Sequence, residues 1–150
     1  SRLPTVTVVA VPAGAGATPL PDGRFLEAVQ RQMDRVRPIG TQVKVVPPVY
    51  VELRAELVLR AGAEATDEAL RAGLSAWLTS SGIGGTLRAG DAMAAVQAVP
   101  GVLQVREVSL RALGPGCYQN EEGDLLLPRR AIPRLGTIRA ERLSDRSGRR

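Results

Sequence analysis

Residues Pro47 to Arg60 constrain the fold of this chain more than any other stretch. From Val49 on, the apolar residues Val49, Val51, Leu53, Ala55, Leu57 and Leu59 hold odd positions. Tyr50, Glu52, Arg54, Glu56 and Arg60 hold even ones, and Val58 is the single exception. Side chains of a strand alternate between its two faces, so this pattern describes a strand with one face in a core and one in water. At about 3.4 Å per residue such a strand runs roughly 40 Å. In a chain of 150 residues other elements must pack across its inner face, and Pro47-Pro48 forms a stiff elbow into it.

Upstream, Thr5 to Val11 (TVTVVAV) is β-branched and apolar on both faces, which predicts an interior strand. Pro12 to Pro21 lacks the Gly-Lys-Ser/Thr ending of a phosphate-binding loop and reads as a surface loop. Asp22 is placed to cap a helix in which Phe25, Leu26, Val29, Met33 and Val36 form one apolar stripe. Pro38 and Gly40 end it, and Thr41 to Val46 forms a second strand. Strand, helix, strand predicts a right-handed crossover between parallel strands. Two strands and one helix rarely stand alone, so a further neighbour is expected.

Downstream, Thr66 caps a second helix with Asp67 and Glu68 in its first turn and Ala69, Leu70, Leu74, Trp77 and Leu78 inward. Ser80 to Ala89 is expected to be a flexible glycine-rich link. Its Gly82-Ile83-Gly84-Gly85 matches the Gly-x-x-Gly clamp of some RNA-binding domains in form, without a basic residue in the middle pair. Asp91 is expected to open a short helix with Ala92, Met93, Val96 and Val99 inward. Val102 to Ala112 is the next strand, and its apolar parity changes between Val105 and Val108, which predicts a bulge or a late strand start near Arg106. Gly114 to Asp124 reads as a loop whose Glu121, Glu122 and Asp124 form a solvated turn without the spacing of a calcium loop. Leu125 to Leu127 is extended, Leu135 to Leu143 is a last strand, and Ser144 to Arg150 a frayed tail. The expected class is α+β, with two small mixed α/β halves. Residues 1–47 form β-α-β, residues 48–143 form β-α-α-β-β, each sheet has helices on one face, and residues 144–150 are a flexible tail.

Histidine is absent and Cys117 is the only cysteine. Imidazole chemistry, imidazole metal ligation and an internal disulfide are therefore excluded, and no basic group near Cys117 would activate its thiol. The net charge of +5 is unevenly placed. Eight arginines in residues 129–150 against Glu141 and Asp145 give that segment +6, which leaves the rest of the chain at −1. That basic end makes a nucleic-acid-binding module the alternative function, although 3% aromatic residues offer little for base stacking. Guanidinium groups also make bidentate bonds to carboxylates on a neighbouring protein. The candidate interaction residues are accordingly Arg129, Arg130 and Arg134, with the outward Tyr50, Glu52 and Arg54 of the long strand. No catalytic, cofactor-binding or metal-ligating set stands out, so the chain is expected to be non-enzymatic and to need no cofactor.

Several stretches together resemble the baseplate J-like family, wedge components of phage contractile tails and related contractile injection systems. They are VTVVAVPAG (Val6 to Gly14), RPIGTQVKVVPPVYVELRAEL (Arg37 to Leu57), ALRAGLSAWL (Ala69 to Leu78), AVQAVPGVLQVREVSL (Ala95 to Leu110) and LPRRAIPRLGTI (Leu127 to Ile138). The short Ser80 to Ala89 link and the arginine-rich end depart from the family pattern. The resemblance implies the C-terminal part of a longer protein, with the first half completed by upstream sequence or a neighbour. It implies a structural subunit that assembles with copies of itself, as a dimer or ring, and with other wedge or hub subunits. It places the protein in a virion or phage-tail-like particle, and in the bacterial cytoplasm during assembly, with no small-molecule substrate and no membrane partner.

Overall fold

Crossover geometry and helix capping shape the first part of the chain in the computed structural model, which describes residues 3–13 and 19–144. Strands β1 (Thr5–Val9) and β2 (Gln42–Val46) pair in parallel, from Thr5 beside Gln42 to Val9 beside Val46. Helix α1 (Gly23–Val36) connects them, and the Asp22 carboxylate accepts the Phe25 N–H at 2.8 Å as its N-cap. Residues 14–18 of the expected surface loop and 145–150 of the expected tail lie outside the described residues.

The interior of this first unit, Ser1–Val49, is thin. Ala10 and Val46 are buried, yet no residue of α1 is, and Val6 and Val36 of the expected inner surfaces are 50% and 63% exposed. Gln30 shows how α1 is held. Its side-chain amide donates to the Val43 carbonyl at 2.7 Å, and its carbonyl accepts the Val45 N–H at 2.9 Å. One glutamine thus supplies the donor and acceptor that a further strand would offer along β2.

The second unit, Tyr50–Arg150, is built on β3 (Val49–Ala61). Val51, Leu53, Ala55, Leu57 and Leu59 are all buried, as the alternation requires, while Val49 at its start is exposed. Helix α2 (Asp67–Ser80) lays Leu70, Leu74 and Leu78 against this face, and α3 (Ala89–Gln97) adds Ala92 and Val96. Thr66 caps α2 through the Ala69 N–H at 3.1 Å. Close approach of α2 to the turn that follows α3 requires Gly73, where a Cβ would lie 2.6 Å from Val99 Cγ2.

On one side β3 pairs antiparallel with β5 (Val102–Ala112). Val58 faces Glu107 and Leu59 faces Val105, which leaves Arg106 as the extra residue of a bulge where the parity of the apolar residues predicts one. A second shift separates Arg60 from Ala61. On the other side lies β8 (Ala131–Arg142). Arg134 lies over Tyr50, Gly136 abuts Glu52, and the Leu143 N–H bonds to Leu59 O at 2.8 Å. These contacts advance together along both segments, so β8 runs parallel to β3 and the sheet is mixed.

β8 begins at Ala131, earlier than the Leu135 start expected from sequence, and passes through the buried Pro133. An edge strand tolerates proline because one of its sides carries no ladder bonds. The residues of β8 that pack on the core change from odd (Leu135) to even (Ile138, Ala140). At this switch Arg71 of α2 donates to the Gly136 carbonyl at 2.6 Å and reaches Leu135 O at 3.5 Å.

The Ser80–Ala89 segment is more regular than a flexible link. Gly82, Gly84 and Gly85 adopt positive φ, and β4 (Gly85–Leu87) pairs antiparallel with β7 (Leu125–Leu127). Gly84 is pressed against the chain at Arg129, whose carbonyl would sit 2.9 Å from an added Cβ. The Gly-x-x-Gly spacing therefore serves backbone packing here. A two-residue strand, β6 (Tyr118–Gln119), pairs with the other side of β7 inside the expected loop. Leu87, Leu125 and Leu127 of this small sheet are buried in the same core as β3. The α+β class holds, with the second unit richer in short strands than its sequence signals.

Candidate functional site

The outer face of the β5-β3-β8 sheet gathers most of the candidate interaction residues, because the alternation that buries odd residues of β3 turns even ones outward. Tyr50 is half-buried, and the Arg134 guanidinium stands 5.1 Å from its ring centroid, within the range of a cation–π contact. Glu52 and Arg54 follow on the same face, both exposed. Glu52 lies against Gly136, where an added Cβ would come within 2.6 Å of Glu52 Cγ. Arg129 and Arg130 sit in the turn between β7 and β8, Arg129 exposed and Arg130 half-buried. Arg129 and Arg130 thus belong to the turn, while Tyr50, Glu52, Arg54 and Arg134 share the sheet.

Two further arginines on this face escape a reading of the sequence alone. Arg111 of β5 is the direct cross-strand partner of Arg54. Arg139 of β8 lines a cavity of about 470 Å³ with Arg54, Glu56 and Thr137. Only the pairing register of β3 and β5 reveals the first, and only the parallel placement of β8 reveals the second. Glu52, Glu56 and Glu107 complete a surface of mixed sign, and Arg60 donates to the Gln104 side chain at 3.0 Å.

The acidic cluster divides into two roles. Asp124 accepts the Ala89 N–H at 2.7 Å and so caps α3, whose own preceding residue, Arg88, provides no side-chain cap. This bond and the Asn120 side chain, with Arg88 nearby, hold its carboxyl below the usual range. The helix begins at Ala89, two residues before the Asp91 start expected from sequence. Glu121 and Glu122 remain exposed at the tip of the turn. Cys117 is half-buried, and burial pushes its thiol pKa up, away from the thiolate that nucleophilic chemistry needs. Among the described residues no group of three or more acidic or cysteine side chains is arranged to hold a metal ion. Also among them, no helix is long and apolar enough to cross a membrane.

These features define an α+β protein with a mixed sheet, one face covered by helices and the other left as a polar surface. Its fold is similar to that of a chain in a solved structure described as "Cryo-EM structure of the anti-feeding prophage (AFP) baseplate, 6-fold symmetrised". The TM-score is 0.58 at 15% sequence identity, over 89% of this chain. The chain spans 29% of the length of that baseplate chain. No protein-family model and no curated protein matches the sequence.

Proposed function

We propose that this chain is a structural, non-enzymatic part of a contractile tail or injection-system baseplate, of the baseplate J-like wedge type. The observation that carries the reading is the fold likeness to an anti-feeding prophage baseplate chain, which extends over 89% of the chain. The order of the five resembling stretches from Val6 to Ile138 supports it independently. Its work is contact: it assembles with copies of itself and with other wedge or hub subunits, in the particle and, before that, in the cytoplasm of the producing bacterium. Two physical features suit such a role. The first unit leaves α1 without a buried residue, so a covering surface would stabilise it. The second unit presents exposed arginines and glutamates on an ordered sheet, which favours oriented protein contacts.

Cryo-electron microscopy of tail-like particles from the source bacterium tests this reading. The expected result is density at the baseplate fitted by the β5-β3-β8 sheet with α2 and α3 on one face. A particle whose baseplate is fully accounted for by other chains would refute it.

A further inference from the structure

Resting on that reading, a more specific contact follows from the charges of the second unit. Arg54 and Arg111 are direct partners across antiparallel strands, and Arg139 lines the same cavity as Arg54. Like charges placed opposite each other in a sheet destabilise it. Among the described residues none of the three has an ion-pair partner. A carboxylate from outside would relieve this repulsion and accept bidentate bonds from the guanidinium groups.

The same chain carries a group of fitting chemistry elsewhere. Glu121 and Glu122 are exposed, and among the described residues neither forms an ion pair or a hydrogen bond. Their turn is held in shape from within. The Asp124 N–H donates to Asn120 Oδ1 at 2.9 Å, and the Gly123 N–H donates to the Asn120 carbonyl at 3.1 Å. Neutral Gln119, Asn120 and Gly123 flank the two acids. The turn therefore offers two free carboxylates, while the next acid along it, Asp124, is engaged by the Ala89 N–H and the Asn120 side chain. A duplex presents a phosphate about every 3.4 Å along each strand and would set negative charge over Glu52, Glu56 and Glu107 around the arginines.

We propose that the row Arg54, Arg111 and Arg139 receives the Glu121-Glu122 turn of a second copy of this chain. The two patches are different surfaces, so the contact is heterologous, with one copy's turn in the next copy's sheet. Repetition gives a ring where the rotation closes and a filament where it does not.

Sedimentation velocity of the full chain at low ionic strength tests the proposal with two charge-reversed variants, R54E/R111E and E121R/E122R. All four positions are exposed, and circular dichroism confirms that each variant is folded. R54Q/R111Q takes the place of R54E/R111E if the latter does not fold. The wild type is expected to self-associate and to dissociate as salt is added. Each reversed variant alone should lose at least about tenfold in association constant, because like charges then face each other. An equimolar mixture of the two should recover association, since each variant's sheet then meets a turn of opposite charge on the other. With R54Q/R111Q in place of the reversal, the mixture is expected to stop at one-to-one pairs, held by the intact arginines of one variant and the intact turn of the other.

A wild type that is monomeric throughout would overturn the proposal. So would variants that associate like the wild type, loss of association on reversing the sheet but not the turn, or duplex DNA binding that depends on Arg54 and Arg111. These outcomes concern the isolated chain, whereas the baseplate reading stands or falls on the composition of the particle.

Discussion

At the residue scale, Asp124 shows how a group that reads as a solvated turn becomes part of the frame. Its tie to Ala89 spans 35 residues, so nothing local in the sequence marks it as a helix cap, although its place in an acidic loop is plain. Its carboxyl pKa lies below the usual value. The charged form therefore stabilises the fold fully above the unfolded carboxyl pKa, near 3.9, and this contribution fades as pH falls through the lower folded value. Asp124→Asn keeps an oxygen acceptor but loses the charge. Urea titrations should find it less stable than the wild type at pH 7, with the gap closing as pH drops below about 4.

Glycines separate along a similar line. Gly101 has φ +92°, and a Cβ there would lie 2.8 Å from the Ala65 backbone nitrogen. Gly101→Ala should therefore cost about 1–3 kcal/mol. Gly136→Ala meets only the exposed, flexible Glu52 side chain and should cost less than about 1 kcal/mol. Thermal denaturation of the two variants side by side checks this order.

At the scale of elements, strong periodicity was legible and short pairing was not. The alternation in β3, the stripe and cap of α1, the cap of α2 and the extent of β5 all follow from local sequence. Even the bulge at Arg106 is written in the parity of its neighbours. β4, β6 and β7 are two or three residues each, too short for any period, and they exist because β7 finds a partner on both sides. β8 enters through Pro133, which sequence reading takes as a break.

Two outcomes test these elements. Leu57 is 1% exposed at the centre of β3, so Leu57→Ala should cost about 2–5 kcal/mol, read from Trp77 fluorescence during urea unfolding. Gln30 bonds to β2 on both sides of Lys44. Gln30→Ala should make the Val45 amide exchange with deuterium about fivefold faster, as expected for the loss of a bond worth roughly 1 kcal/mol.

At the scale of the molecule, the two units differ in how far they bury themselves. The second encloses a continuous leucine-rich core, while the first holds a helix and two strands with little interior. The apolar pattern of β1 reads as an interior strand, whereas the structure leaves Thr5 to Thr7 exposed in a sheet of two strands, because α1 and β2 alone do not cover both faces. The interaction residues were legible only in part. Tyr50, Glu52 and Arg54 follow from the wet face of β3, but Arg111 and Arg139 join them only through the register and order of three strands that are distant in sequence.

The proposed role, contributing surfaces to a large particle, draws on all three scales. Gradient sedimentation of a lysate from the source bacterium, followed by mass spectrometry of each fraction, tests it most directly. Peptides of this chain are expected to peak in the heavy fractions with the sheath proteins of intact tail-like particles. Peptides confined to the light fractions, while the particles lack them, would contradict it.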